Sequence, residues 1–219
     1  VPCPQGLTLK EAMIFGTAGL TAALSVQKLE HHGITPTSGD VVVSGASGGV
    51  GSVAVAILTK KGYRVVASTG KAHEHEYLKS LGAHEVIARE ELNPEKFAPM
   101  GKGRFAAAVD PVGGNTLAYI LSALKYGGAV ASSGLTGGVK VNTTVFPFIL
   151  RGVSLLGVDS VECPMSVRAP LWQSMANEMK PEGLETFIAH EITLEQLPQT
   201  LDDILKGQTK GRVIVKIGE

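Results

Sequence analysis

Residues Ala46-Ser47-Gly48-Gly49-Val50-Gly51 place three glycines and a hydroxyl in one short turn. The apolar run Val41 to Ser44 precedes it, and the helix-like run Ser52 to Lys61 follows. A small-residue turn between strand and helix lets the backbone approach a pyrophosphate. The free N–H groups and positive dipole end of the helix point at the same spot. In the pattern G-x-G-x-x-G, Ala46 stands in for the first glycine, Gly48 admits the pyrophosphate and Gly51 lets helix and strand pack closely. Ser47, Gly48, Gly49 and Val50 are therefore candidate contacts for a dinucleotide. Gly45 to Gly49 also fits G-x-S-x-G, which would make Ser47 a nucleophile with Asp110, Asp159 or His190 as later partners. Only one strand precedes the turn and no oxyanion glycine run lies upstream, which favours the dinucleotide reading.

The end of the second strand, Arg64 to Ser68, selects among dinucleotides. A site for NAD places an acidic residue there, to bond the ribose hydroxyls. This chain has Ser68-Thr69-Gly70-Lys71. Hydroxyls and a cation suit a 2′-phosphate, which a carboxylate would repel. Arg89, just after a third strand at Glu85 to Ala88, offers a second cation. Thr69, Gly70, Lys71 and Arg89 thus point to NADPH; the alternative is that Lys71 and Arg89 are ordinary surface charges.

Other chemistry-bearing residues are less telling. Asp110-Pro111-Val112-Gly113-Gly114 ends a fourth strand, and Asp110 reads as a cap for the next helix or as a catalytic acid. Ser132-Ser133-Gly134-Leu135 ends a fifth strand, where ligands sit in such sheets. His73 and His75 are two apart on a helix and share no face. Cys3 and Cys163 form neither a disulfide framework nor a CxxC metal pair, so no metal site is expected. None of the four tyrosines starts a Tyr-x-x-x-Lys, the catalytic pair expected of a short-chain dehydrogenase.

Strand and helix patterns alternate along the 219 residues, which predicts an α/β fold, a Rossmann-type doubly wound parallel sheet. A first helix is expected over Leu9 to His31, opened by the capping box Thr8 to Glu11 and loosened by Gly16 and Gly19. Further helices are expected at His73 to Leu81, Thr116 to Leu124, Arg168 to Met179 and Leu194 to Lys206. Strands are expected at Ala106 to Asp110, Gly128 to Ser132, Ser154 to Gly157 and Glu185 to Ile192. A last β-branched run, Arg212 to Ile217, has no evident sheet to join. Hydrophobic residues are 44% and charged residues 18%, with 20 basic against 20 acidic side chains. No basic block favours nucleic acid, and no apolar stretch reads as a membrane span. A cytoplasmic protein acting on a small molecule is the expectation.

Three segments together carry a family resemblance. They are Phe15 to Ala23, the Gly45 to Gly51 turn, and Thr143 to Arg151 with Gly157-Val158-Asp159-Ser160. The chain resembles the medium-chain dehydrogenase/reductase superfamily, in its zinc-free, quinone-oxidoreductase-like branch and there the acryloyl-CoA reductase subgroup. The resemblance implies NADPH-dependent reduction of an activated carbon–carbon double bond in an enoyl thioester, with quinone reduction as an alternative. It also implies a homodimer in the full-length protein, and places Leu135, Ile149 and Ser160 along the nicotinamide half. Residues 1–183 would be the NADP-binding domain with its leading helix. Residues 184–219 would be a returning segment of a GroES-like catalytic domain whose N-terminal part, with the catalytic tyrosine, is absent from this chain. No residue here inherits a catalytic role, and the chain alone would be an inert nucleotide-binding module.

Overall fold

The computed structural model describes residues 2–217; Val1, Gly218 and Glu219, and with them the outer limits of the units 1–183 and 184–219, lie outside the described residues. Six parallel strands form the main sheet: β1 (Val41–Val43), β2 (Val65–Thr69), β3 (Glu85–Ala88), β4 (Phe105–Asp110), β5 (Leu124–Ser132) and β6 (Ser154–Gly157). Their order is β3-β2-β1-β4-β5-β6, the Rossmann order, with the direction of winding reversing between β1 and β4. Both faces of the sheet are covered. Val41 and Val43 point into one apolar cluster and Val42 into the other, as the two-residue strand period requires. That is why the central strands read as unbroken apolar runs.

The first cluster lies under α1 (Leu9–His31), α2 (Gly49–Lys60) and α6 (Met165–Ala176). The second lies under α4 (Gly114–Ala123) and α5 (Phe146–Arg151). Helix α3 (His75–Ser80) connects β2 to β3. The expected capping box opens α1: Glu11 N donates to Thr8 Oγ1 at 3.1 Å and Thr8 N donates to Glu11 Oε2 at 2.8 Å. Gly16 breaks α1 outright, with φ of 50° and ψ of −153°. Among the described residues α1 is the one helix long and apolar enough to cross a membrane, and 56% of its apolar window is buried inside the protein.

Three expectations are corrected. The helix after the glycine turn starts at Gly49, not Ser52, because Gly48 in extended conformation is its N-cap. The helix expected at Arg168 to Met179 is α6, which begins at Met165 after Pro164 and tolerates Pro170 within it. The final strand β8 (Arg212–Val215) does find a sheet: it pairs in parallel with β7 (Ile188–Ile192), Glu191 beside Ile214 and Ile192 beside Val215. The connection is α7 (Leu197–Leu205), so the last stretch is a small β–α–β unit with its own two-stranded sheet.

Candidate functional site

The turn after β1 is built by backbone alone. Ala46 N donates to Ser68 O at 2.9 Å, and Gly48 N to Gly45 O at 3.0 Å. Gly51 sits so close beneath the turn that a Cβ there would lie 2.4 Å from Gly45 O. Gly48 supplies no side-chain cap to α2, so the N–H groups of its first turn stay free to meet an anion. The buried Ser47 places its Oγ 3.0 Å from Thr69 Oγ1. Its side-chain partner is thus another hydroxyl and not the histidine that a nucleophile would need.

That contact ties the turn to the end of β2. Thr69 Oγ1 accepts Lys71 N at 3.1 Å, and Lys71 Nζ donates to the carbonyl of Thr209. Arg89 lies over Gly70: a Cβ at Gly70 would be 3.0 Å from the guanidinium carbon. Arg89 is largely exposed and pairs with Glu90 at 3.6 Å. Ser47, Thr69, Gly70, Lys71 and Arg89 therefore form one linked group beside Gly48, Gly49 and Val50.

The loops after β1, β4 and β5 stack edge to edge at the winding reversal. Val112 Cγ2 would lie 3.1 Å from a Cβ at Gly45, and Gly137 N donates to Val112 O at 2.7 Å. A cleft of about 730 Å³ opens beside them, lined by Ser132, Ser133, Leu135, Gly157, Val158 and Asp159 with Leu24 and Lys28 of α1 among others. Ser133 Oγ is buried there with no partner among the described residues. Leu135 is one of the lining residues. Ser160 stands next to the lining residue Asp159 and accepts from Thr21 Oγ1 at 2.9 Å. Ile149 lies on α5, 69% exposed and outside the lining of this cleft.

Asp110 is fully buried and serves the turn after β4. Ser44 Oγ donates to it at 2.5 Å, Gly113 N at 2.9 Å and Val112 N at 3.3 Å. Burial raises its carboxyl pKa against the opposing effect of these donors. Asp110 thus holds the N-cap residue Gly113 by its backbone and faces no open cleft, so its place is structural. Asp110→Asn leaves one donor facing an amide NH₂ group. It is expected to cost about 1–3 kcal/mol and to lower the melting temperature by roughly 5 °C in a thermal melt.

One residue escaped the sequence reading. Arg212, at the start of β8, reaches back to the glycine turn. Its Nε donates at 2.9 Å to Ile14 O, two residues before the break in α1 at Gly16. Its Nη1 would lie 2.9 Å from a Cβ at Gly49, so the guanidinium covers the first residue of α2. Gly211 N donates to Ser47 O at 3.0 Å and fixes this approach. The only sequence signal was a lone basic residue opening an apolar strand.

An uncapped helix end, a cradle closed to any Cβ, an adjacent guanidinium and a second group of hydroxyl and cations fit the phosphates of a dinucleotide. Comparison with known proteins agrees. A family model described as zinc-binding dehydrogenase matches residues 49–177. The chain belongs to the zinc-binding dehydrogenase family. With it comes membership of the medium-chain dehydrogenase/reductase superfamily, an oxidoreductase group. Among similar members, Bacillus subtilis YhfP, solved with NAD bound, is 56% identical with a TM-score of 0.96, over 99% of this chain and 66% of that one. Escherichia coli K-12 YhdH, solved with NADPH bound, is 48% identical with a TM-score of 0.95, over 100% and 67%. The acrylyl-CoA reductase AcuI of Ruegeria pomeroyi is 49% identical over 99% of this chain and 66% of its own length. The chain thus spans about two thirds of the length of these family members. No group of three or more His, Cys, Asp and Glu that could hold a metal occurs among the described residues.

Proposed function

We propose that the chain is the NADPH-binding part of an oxidoreductase that reduces the activated double bond of an enoyl thioester such as acryloyl-CoA. The observation that carries the cofactor choice is the end of β2. Thr69, Gly70 and Lys71, with Arg89 folded over Gly70, offer hydroxyl and cations where NAD sites carry a carboxylate. Similarity to AcuI and to the NADPH-bound YhdH supports the reading, although the similar YhfP was solved with NAD.

In this reading the first-turn N–H groups of α2 and the guanidinium of Arg212 hold the pyrophosphate, with Ser47 beside it. Lys71 and Arg89 take the 2′-phosphate, for which Arg89 exchanges Glu90. Leu135 and Ser160 flank the nicotinamide. The bound cofactor supplies the hydride, and the chain's part is to orient it and keep water from its faces. Residues 184–219 form the returning segment of a GroES-like domain. In support, α7 has no buried residue and leaves Leu201, Ile204 and Leu205 exposed as a surface for another part of the protein to cover. The full-length protein is a cytoplasmic homodimer joined along the edge strand β6, where Leu155 is exposed.

Cofactor oxidation tests the assignment. The full-length protein is expected to oxidise NADPH faster with acryloyl-CoA than with a quinone, and the 219-residue chain alone to bind NADPH without turnover. Quinone-selective oxidation would move the assignment to a quinone reductase. Robust turnover by the chain alone would contradict the placement of the substrate chemistry outside it.

A further inference from the structure

The segment from Gly207 to Arg212 comes back to the nucleotide site from the far end of the chain and docks on it at several points. Gly211 N donates to Ser47 O at 3.0 Å, and Lys71 Nζ donates to Thr209 O. Lys210 Nζ pairs with the buried Glu74 at 3.5 Å and lies 5.2 Å above the ring of Tyr77. Gly211 itself leaves no room for change: its φ is +49°, and a Cβ would meet Phe187 O at 2.3 Å.

Lysine carries its charge on a flexible four-carbon stem with three N–H donors. Free in solvent, such a group samples many rotamers and must be ordered when a ligand arrives. Here one N–H is spent on the Thr209 carbonyl, which ties the ammonium to the C-terminal segment and leaves two donors for an anion. Resting on the reading of Lys71 as the cation for the adenosine 2′-phosphate, we infer that the Thr209 carbonyl is a positioning element for Lys71. The C-terminal segment, and not the six-stranded unit alone, then sets the preference for a phosphorylated ribose. Linkage makes the effect reciprocal: a ligand with the 2′-phosphate tightens the docking of the segment more than one without it.

Two probes that differ only in that group separate the possibilities, adenosine 2′,5′-bisphosphate and adenosine 5′-monophosphate. Each is titrated by calorimetry, and amide exchange of Lys210 to Arg212 is followed at matched saturation. The bisphosphate is expected to slow exchange of the Gly211 N–H by about tenfold more than the monophosphate, a coupling within the usual range. Lys71→Met should abolish this difference. Gly211→Ala, which forces the segment off the turn, should lower the affinity for bisphosphate about fivefold more than for monophosphate. A merely structural role for the segment would weaken both alike.

Equal exchange protection by the two probes in the wild type would overturn the inference, and that comparison stands even if Gly211→Ala fails to fold. If Lys71→Met leaves bisphosphate affinity unchanged, the reading of Lys71 itself fails. If Lys71→Met weakens the bisphosphate but the wild type shows no exchange difference, that reading survives and the positioning role is refuted.

Discussion

Gly51→Val is expected to abolish nucleotide binding and to lower the melting temperature by roughly 2–12 °C. A Cβ at this position would sit 2.4 Å from Gly45 O, 2.7 Å from Ala46 Cα and 2.9 Å from the Gly45 carbonyl carbon. All three are backbone atoms of the turn, so no side chain can swing aside. Relief requires α2 to move off the end of β1. That movement breaks the Ala46 N to Ser68 O bond and carries the free N–H groups of Gly49 and Val50 away from the pyrophosphate position. Overpacking a tight site costs about 1–3 kcal/mol or more, and a chain of this size loses roughly 2–4 °C per kcal/mol. Gly101→Ala is the matching control: Gly101 does not line the cleft, and the nearest atom to a Cβ there would be 3.6 Å away, an ordinary contact. It should change stability by less than about 0.5 kcal/mol. Thermal melts and a fluorescence titration with NADPH measure both variants. A Gly51→Val protein that binds NADPH normally would show that the turn does not hold the phosphates.

Arg212→Met is expected to weaken NADPH and NADH alike, by about 10- to 100-fold, the worth of one hydrogen bond to a charged group. Methionine keeps the apolar stem and removes the fork. The guanidinium bonds Ile14 O through Nε while Nη1 faces Gly49, so it joins the break in α1 to the first turn of α2. Arg212→Lys should recover little, because one ammonium cannot serve both ends as a planar fork does. Both cofactors carry the same pyrophosphate, so the ratio of their affinities should stay near its wild-type value. A change in that ratio alone, or unchanged affinity for both, would remove Arg212 from the phosphate site. Under the proposed function the two variants separate the parts of the site: the glycine turn and Arg212 would act on any dinucleotide, while Lys71 would act on the phosphorylated one.

Local signals made the nucleotide unit legible. Three valines before a glycine turn, and a second strand ending in Ser68-Thr69-Gly70-Lys71, set β1, α2 and β2 to within a few residues. The start of α2 was misread because glycines at Gly48 and Gly49 look like loop, although Gly48 serves as N-cap and Gly49 as the first helical residue. Helix α5 went unseen because the six residues Phe146–Arg151 are too short to show a period. Helix α6 opens earlier than expected: Pro170 falls in its second turn, whereas a start at Arg168 would place it in the first turn, where proline is usual. The partner of β8 and the reach of Arg212 depend on contacts between residues far apart in sequence, which no local pattern encodes. The same holds for Asp110: the sequence allowed an acid or a cap, and only its complete burial under Ser44 and Gly113 gives it a structural place.

Under the proposed function this chain reads the 2′-phosphate of its dinucleotide through Lys71. The most direct test is a calorimetric titration of the wild-type chain and of Lys71→Glu with NADPH and with NADH. The wild type is expected to bind NADPH at least about tenfold more tightly than NADH. Lys71→Glu should remove that advantage by weakening NADPH while leaving NADH nearly unchanged. Equal wild-type affinities, or an equal loss for both cofactors in the variant, would contradict the account.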